Sequence, residues 1–174
     1  GVYITSYNGL VHARQKVKEA WSGIDVQLKR RYDLIPNLVK TVQGYASHEK
    51  TVLEEVTKAR SNAISVPEGS ITKQAQAENT LSSTLKSIFA LSENYPDLKA
   101  NINFLELQKE LRQTEDQISS SRRIYNSNVT ILNVKIQSIP SNIVANLHHF
   151  SEAEFFELDE LEKEKVKKVP DVSF

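Results

Sequence analysis

Apolar side chains recur along most of this chain at alternating steps of three and four residues, the seam spacing of helices packed at shallow angles. One run reads Tyr7, Leu10, Arg14, Val17, Trp21, Ile24, Leu28, Arg31. A second reads Ile35, Leu38, Val42, Tyr45, Glu49, Val52, Val56, Ala59, and a third Ile71, Gln74, Glu78, Leu81, Leu85, Ile88, Ser92, Tyr95. The fourth, from Phe104 through Leu111, Ile118, Tyr125 and Leu132 to Ile136, is the longest. No strand-like alternation of comparable length competes with them. The pattern predicts an all-α fold, an antiparallel up-down-up-down four-helix bundle with long helices and a short C-terminal segment packed on it.

Turn chemistry sets the predicted boundaries. In "LKRRYDLIPNLV" (28–39) Asp33 is a good N-cap, and Leu34, Ile35 and Pro36 would form the first turn of a new helix, where proline costs little. Lys29, Arg30 and Arg31 would then close the preceding helix, where its dipole favours cations. Arg31, Asp33 and Pro36 are thus read as a helix–helix corner. The alternative is one helix running through Pro36, because the apolar register crosses it. "VPEGS" (66–70), "NYPDL" (94–98) and "SIPSN" (138–142) mark the other turns. The expected helices span about 3–32, 34–65, 71–94 and 98–138. Residues 141–158 keep enough apolar side chains to pack back on the bundle, giving a domain over 1–158. "DELEKEKVKK" opens a charged segment, 159–174, expected to be solvated and mobile.

Composition removes several function classes. The 174 residues carry 22 Lys and Arg against 22 Asp and Glu, so nothing favours a nucleic-acid partner. Residues 1–66 hold ten basic and six acidic side chains, a net +4 balanced by −4 in the remainder. With no cysteine, disulfides, thiolate metal sites and cysteine nucleophiles are excluded. No phosphate-cradling glycine loop, G-x-S-x-G elbow or H-E-x-x-H motif is present. His12, His48, His148 and His149 have poor metal spacing, and none has Glu three residues earlier, as a ferritin-like site requires. No cofactor is expected.

One constellation exceeds background: Arg14, Glu49, Glu78 and Glu115 occupy seam positions, one on each expected helix. Counted from the end holding the Arg31 and Pro96 corners, they lie roughly 19, 15, 17 and 17 residues away, within about 6 Å in height at about 1.5 Å per residue. They are read as a buried polar layer, with Arg122 one heptad beyond Glu115. Its formal charge would need a proton, Arg122 or a bound cation to compensate. A carboxylate-based metal site or enzyme using Glu49, Glu78 and Glu115 is therefore the alternative to a non-enzymatic protein.

The sequence resembles the bacterial LemA family. "YNGLV", "IDVQLKRRYDLIPNLVKTVQGYASHEKTVLEEVTKAR", "AENTLSSTL", "ENYPDLKANINFLELQKEL", "RRIYN", "IPSN" and "AEFFE…VPDVSF" carry the likeness, in order, over nearly the whole chain. Two departures stand out: "TEDQISSS" replaces the family's "TEN-R-I-A" run, and "HHF" replaces a glycine–phenylalanine pair. The resemblance implies an envelope protein with a single N-terminal membrane-spanning helix just upstream of "YNGLV", and it supplies no reaction. No run of about 18 apolar residues occurs in this chain, so that anchor lies outside it. "GVYIT" reads either as the anchor's last turn, with Tyr3 at the interface, or as residues unrelated to it. Arg14, Lys16 and Lys18 favour the cytoplasmic side for the bundle. The expected role is a membrane-tethered scaffold or adaptor that docks a partner protein, a membrane protein among the candidates, through its helix surfaces.

Overall fold

The computed structural model describes residues 1–158, so the charged segment 159–174 lies outside the described residues. They form six helices and no strand: α1 (Val2–Gln43), α2 (Lys50–Ile64), α3 (Ile71–Ser92), α4 (Pro96–Lys99), α5 (Ile102–Gln137) and α6 (Ser141–Leu147). The all-α reading holds. The expected corner at Arg31, Asp33 and Pro36 does not: α1 runs uninterrupted to Gln43, and Asp33 and Pro36 are exposed positions within it. Buried Leu28, Arg31, Tyr32, Ile35, Leu38 and Val42 continue the apolar register past Pro36, which points outward. The chain turns instead at 44–49, where Gly44 is a poor helix former and the Ala46 amide bonds back to the Val42 carbonyl.

A proline inside a helix leaves the carbonyl four residues earlier without its amide donor. Here that carbonyl belongs to Tyr32, and the Nε of Arg60 on α2 donates to it at 2.8 Å. The side chain replaces the bond that Pro36 cannot make. At the other end of α3 the reading also shifts by a few residues. Pro96 opens the single turn α4, and α5 starts after Asn101, whose side-chain oxygen accepts from the Phe104 amide at 3.0 Å as an N-cap.

The chain divides into two compact units. The first comprises Gly1–Arg30 and Thr114–Phe156. Here α1 and α5 run antiparallel, with the Trp21 and Tyr125 rings 5.4 Å apart and Lys135 reaching α1 beside Gly9. Val144 and Ala145 of α6 close one end over Leu10 and Phe150. α6 stops in a left-handed turn: His149 has φ 57°, the His149 amide bonds to the Asn146 carbonyl and the Phe150 amide to that of Ala145.

After α6 the chain lies extended along α5. Asn133 accepts from the Ala153 amide and donates to its carbonyl, and Asn126 does the same for Phe156. Seven helical residues rise about 10 Å, and three extended residues span about 10 Å, so the two asparagines match the extended segment in pitch. Phe156 is fully buried against Trp21, with ring centroids 5.4 Å apart.

Among the described residues the second unit comprises Arg31–Gln113 with Glu157 and Leu158. The end of α1, α2, α3 and the start of α5 alternate in direction, as the up-down-up-down reading requires. Tyr32 meets Arg60, Ala63 meets Gln74, and Tyr45 meets Asn101. Its core holds Ile35, Leu38, Val56, Leu81, Ile88, Leu98 and Phe104 among others.

Candidate functional site

The polar cluster most deeply buried in the second unit centres on Glu78 of α3, which is fully buried. Gln74, Glu78 and Ser82 follow at steps of four and so present one stripe along α3. Arg31 and Tyr32 of α1 face it. One Arg31 amine donates to Glu78 Oε1 at 2.5 Å, and the other to the Ser82 hydroxyl at 2.9 Å. The Tyr32 hydroxyl donates to Glu78 Oε2, and the Gln74 amide donates to the same oxygen at 2.7 Å. Gln74 also reaches the Ala63 carbonyl at 3.1 Å, tying in the end of α2.

Both carboxylate oxygens are therefore taken by donors of the protein itself. A buried carboxylate without such partners would carry a penalty of several kcal/mol, of the order set by ion desolvation, and the arrangement removes it. Chemically, the cluster offers no oxygen aimed at open space. What it fixes is register: slipping α1 against α3 would separate Arg31 from Glu78.

The predicted layer of Arg14, Glu49, Glu78 and Glu115 is not assembled. Heights counted from a corner near residue 33 are offset once α1 turns at 44–49, and the shift brings Arg31 rather than Arg14 to the level of Glu78. Arg14 is exposed in the first unit, its guanidinium carbon 4.5 Å from the centroid of the Phe150 ring, a cation–π contact. Glu49 is half-buried at the head of α2, and its Oε1 accepts from the Tyr95 hydroxyl at 3.0 Å. That hydrogen bond, with some desolvation and the nearby charge, raises the Tyr95 hydroxyl above its ordinary range. Glu115 is half-buried and Arg122 buried, both on α5 in the first unit. Among the described residues no group of three or more His, Cys, Asp or Glu side chains is placed to hold a metal ion.

The cluster left a signal in the sequence. Arg31 already sits on the seam lattice, as do Gln74 and Glu78; reading Arg31 as a helix-end cation hid its pairing. The asparagine contacts to 153–156 left none, because they depend on the path of an irregular segment.

Among the described residues the buried charges Arg31 and Glu78 pair with one another, and no helix is long and apolar enough to cross a membrane. The chain belongs to the LemA family, whose model matches residues 20–174. It is 27% identical to Protein LemA of Metamycoplasma hominis over 162 residues, covering 93% of this chain and 74% of that protein. It is 23% identical to Magnetosome protein MamQ 2 of Paramagnetospirillum magneticum over 175 residues, covering 87% of this chain. Magnetosome protein MamQ of Magnetospirillum gryphiswaldense is likewise 23% identical, over 174 residues and 86% of this chain. The chain spans 64% of the length of these two magnetosome proteins.

Proposed function

We propose that this protein is a non-enzymatic, membrane-tethered scaffold or adaptor that docks a partner protein through its helix surfaces. The observation that carries the reading is an unpartnered apolar stripe on α5. Ile124, Ile131 and Val134 are each more than half exposed and fall on one face of that helix. Aliphatic side chains at helical spacing suit the apolar face of a partner helix. The family supports a membrane-bound setting, and Arg14, Lys16 and Lys18 favour the cytoplasmic side. The LemA and magnetosome names of its relatives support a membrane-associated setting.

Crosslinking of the anchored protein in its own cells, followed by identification of the captured proteins, tests the reading. One defined partner should be recovered, and Ile131→Lys should abolish its capture while leaving the helical content unchanged. Equal capture by wild type and variant would exclude the α5 stripe.

A further inference from the structure

Residues 151–156 of the first unit have no regular structure of their own and lie in a groove formed by α5 and Trp21 of α1. Almost everything that holds them grips the main chain. Asn133 accepts from the Ala153 amide at 2.9 Å and donates to the Ala153 carbonyl at 3.1 Å. Asn126 makes the same two bonds to Phe156, and the Tyr125 hydroxyl donates to the Glu154 carbonyl at 2.8 Å. Within the segment only Phe156 is fully buried, its ring against that of Trp21, and Ala153 is half-buried. Ser151, Glu152, Glu154 and Phe155 face solvent, with the Glu152 carboxylate accepting from Gln137 at the exposed margin.

Each asparagine spends both ends of its amide on the N–H and C=O of a single residue. A helix uses those groups internally, so the two clamps read an extended chain and not a helix. Their spacing along α5 matches three extended residues, which places a phenylalanine three positions after a small residue. Main-chain bonds of this kind are open to any sequence, and the aromatic pocket supplies the selectivity. A segment without regular structure, anchored by one buried side chain, opens at lower cost than the helices beneath it. Its departure leaves the groove standing, because the backbone bonds of α1 and α5 are internal to those helices.

We infer that this groove is a peptide-recognition site held shut in cis by residues 151–156, and that its ligand in trans is an extended segment of a partner protein with phenylalanine three residues after a small one. Asn126 and Asn133 align the main chain of that segment. Trp21, packed edge-on against Tyr125, receives the phenylalanine ring. The resident segment is an autoinhibitory contact, since a tethered ligand competes at high effective concentration. The site uses residues other than the exposed α5 stripe and takes an extended chain rather than a helix, so failure of one reading leaves the other standing.

The test uses the 174-residue chain and a synthetic peptide of its residues 151–158, SEAEFFEL. Phe156→Ala vacates the aromatic position in cis. Trp21 is the sole tryptophan, so its emission should move to the red in this variant and return to the blue as peptide is added. Anisotropy of the labelled peptide should show binding to wild type at least about tenfold weaker than to Phe156→Ala, because the resident segment competes. A peptide with alanine for Phe156 should not bind, whereas one with its glutamates changed to glutamine should bind within about threefold of the parent. If Phe156→Ala loses its helical circular dichroism, Ala153→Pro, which removes the amide that Asn133 accepts from, serves as the release variant. No binding of the peptide to a folded release variant would overturn the site, and equal affinity for wild type would overturn its closure in cis. Equal binding of the alanine peptide would overturn the phenylalanine reading, and loss of binding by the glutamine peptide the main-chain readout. A wild-type dimer in light scattering that Phe156→Ala dissolves would assign the segment to a second copy and overturn the cis contact.

Discussion

Pro36 and Arg60 act as one feature although they lie on different helices. The Tyr32 carbonyl accepts from Arg60 because Pro36 has no amide hydrogen to offer it. Truncating Arg60 to Ala should therefore strand a part-buried acceptor and cost about 1–3 kcal/mol. With Pro36→Ala the backbone bond can form, so the same Arg60 truncation should cost clearly less. Urea denaturation of the four proteins of this double-mutant cycle measures the coupling, and a cost independent of residue 36 would refute the pairing. His149 gives a second expectation at this scale. It occupies the left-handed position that ends α6, where a β-carbon is unfavourable and glycine is favoured. His149→Gly should stabilise the protein by about 0.5–1 kcal/mol, seen as a raised melting temperature.

At the scale of elements, the Gln74–Glu78–Ser82 stripe of α3 fixes where α1 stands. Arg31→Leu leaves the Glu78 carboxylate buried without its countercharge and should cost about 3–5 kcal/mol by urea denaturation. Adding Glu78→Gln removes the stranded charge while keeping an acceptor for Tyr32 and a side chain of the same shape, so the double variant should recover most of the loss. If it is no more stable than Arg31→Leu alone, the pair is not what positions α1. The same elements show what a sequence reading can reach. The register running through Pro36 already described one helix, and the corner came from giving local capping by Asp33 more weight than that register. Gly44, the actual breaker, stands among Tyr45, Ser47 and His48 and does not interrupt the apolar spacing, so its turn passed unnoticed. Which buried charges meet then followed from the turn: an offset of about ten residues displaces a level by about 15 Å. Helix identity is local and legible. Pairing across helices is set by where each helix ends.

At the scale of the whole molecule, alkaline pH probes both units through tyrosines that the fold keeps protonated. In the first, burial and the neighbouring Glu154 charge push the Tyr125 hydroxyl up to about 12 while it donates to the Glu154 carbonyl at 2.8 Å. In the second, the Tyr95 hydroxyl is raised by its hydrogen bond to Glu49. Unfolded tyrosine ionises near pH 10. Above that value the unfolded chain releases protons that the folded chain retains, so stability must fall as pH rises. The contribution of neutral Tyr125 is complete below about pH 10 and is lost progressively up to about pH 12. Lysines also titrate in this window, which makes the absolute slope uninformative; the difference between wild type and Tyr125→Phe isolates the hydroxyl. The variant should start less stable at neutral pH, because the Glu154 carbonyl loses its donor, and should lose stability less steeply between about pH 10 and about pH 12. Parallel slopes in urea denaturation across that range would mean that Tyr125 ionises as freely in the folded protein as in the unfolded chain, and that the segment over α5 admits water.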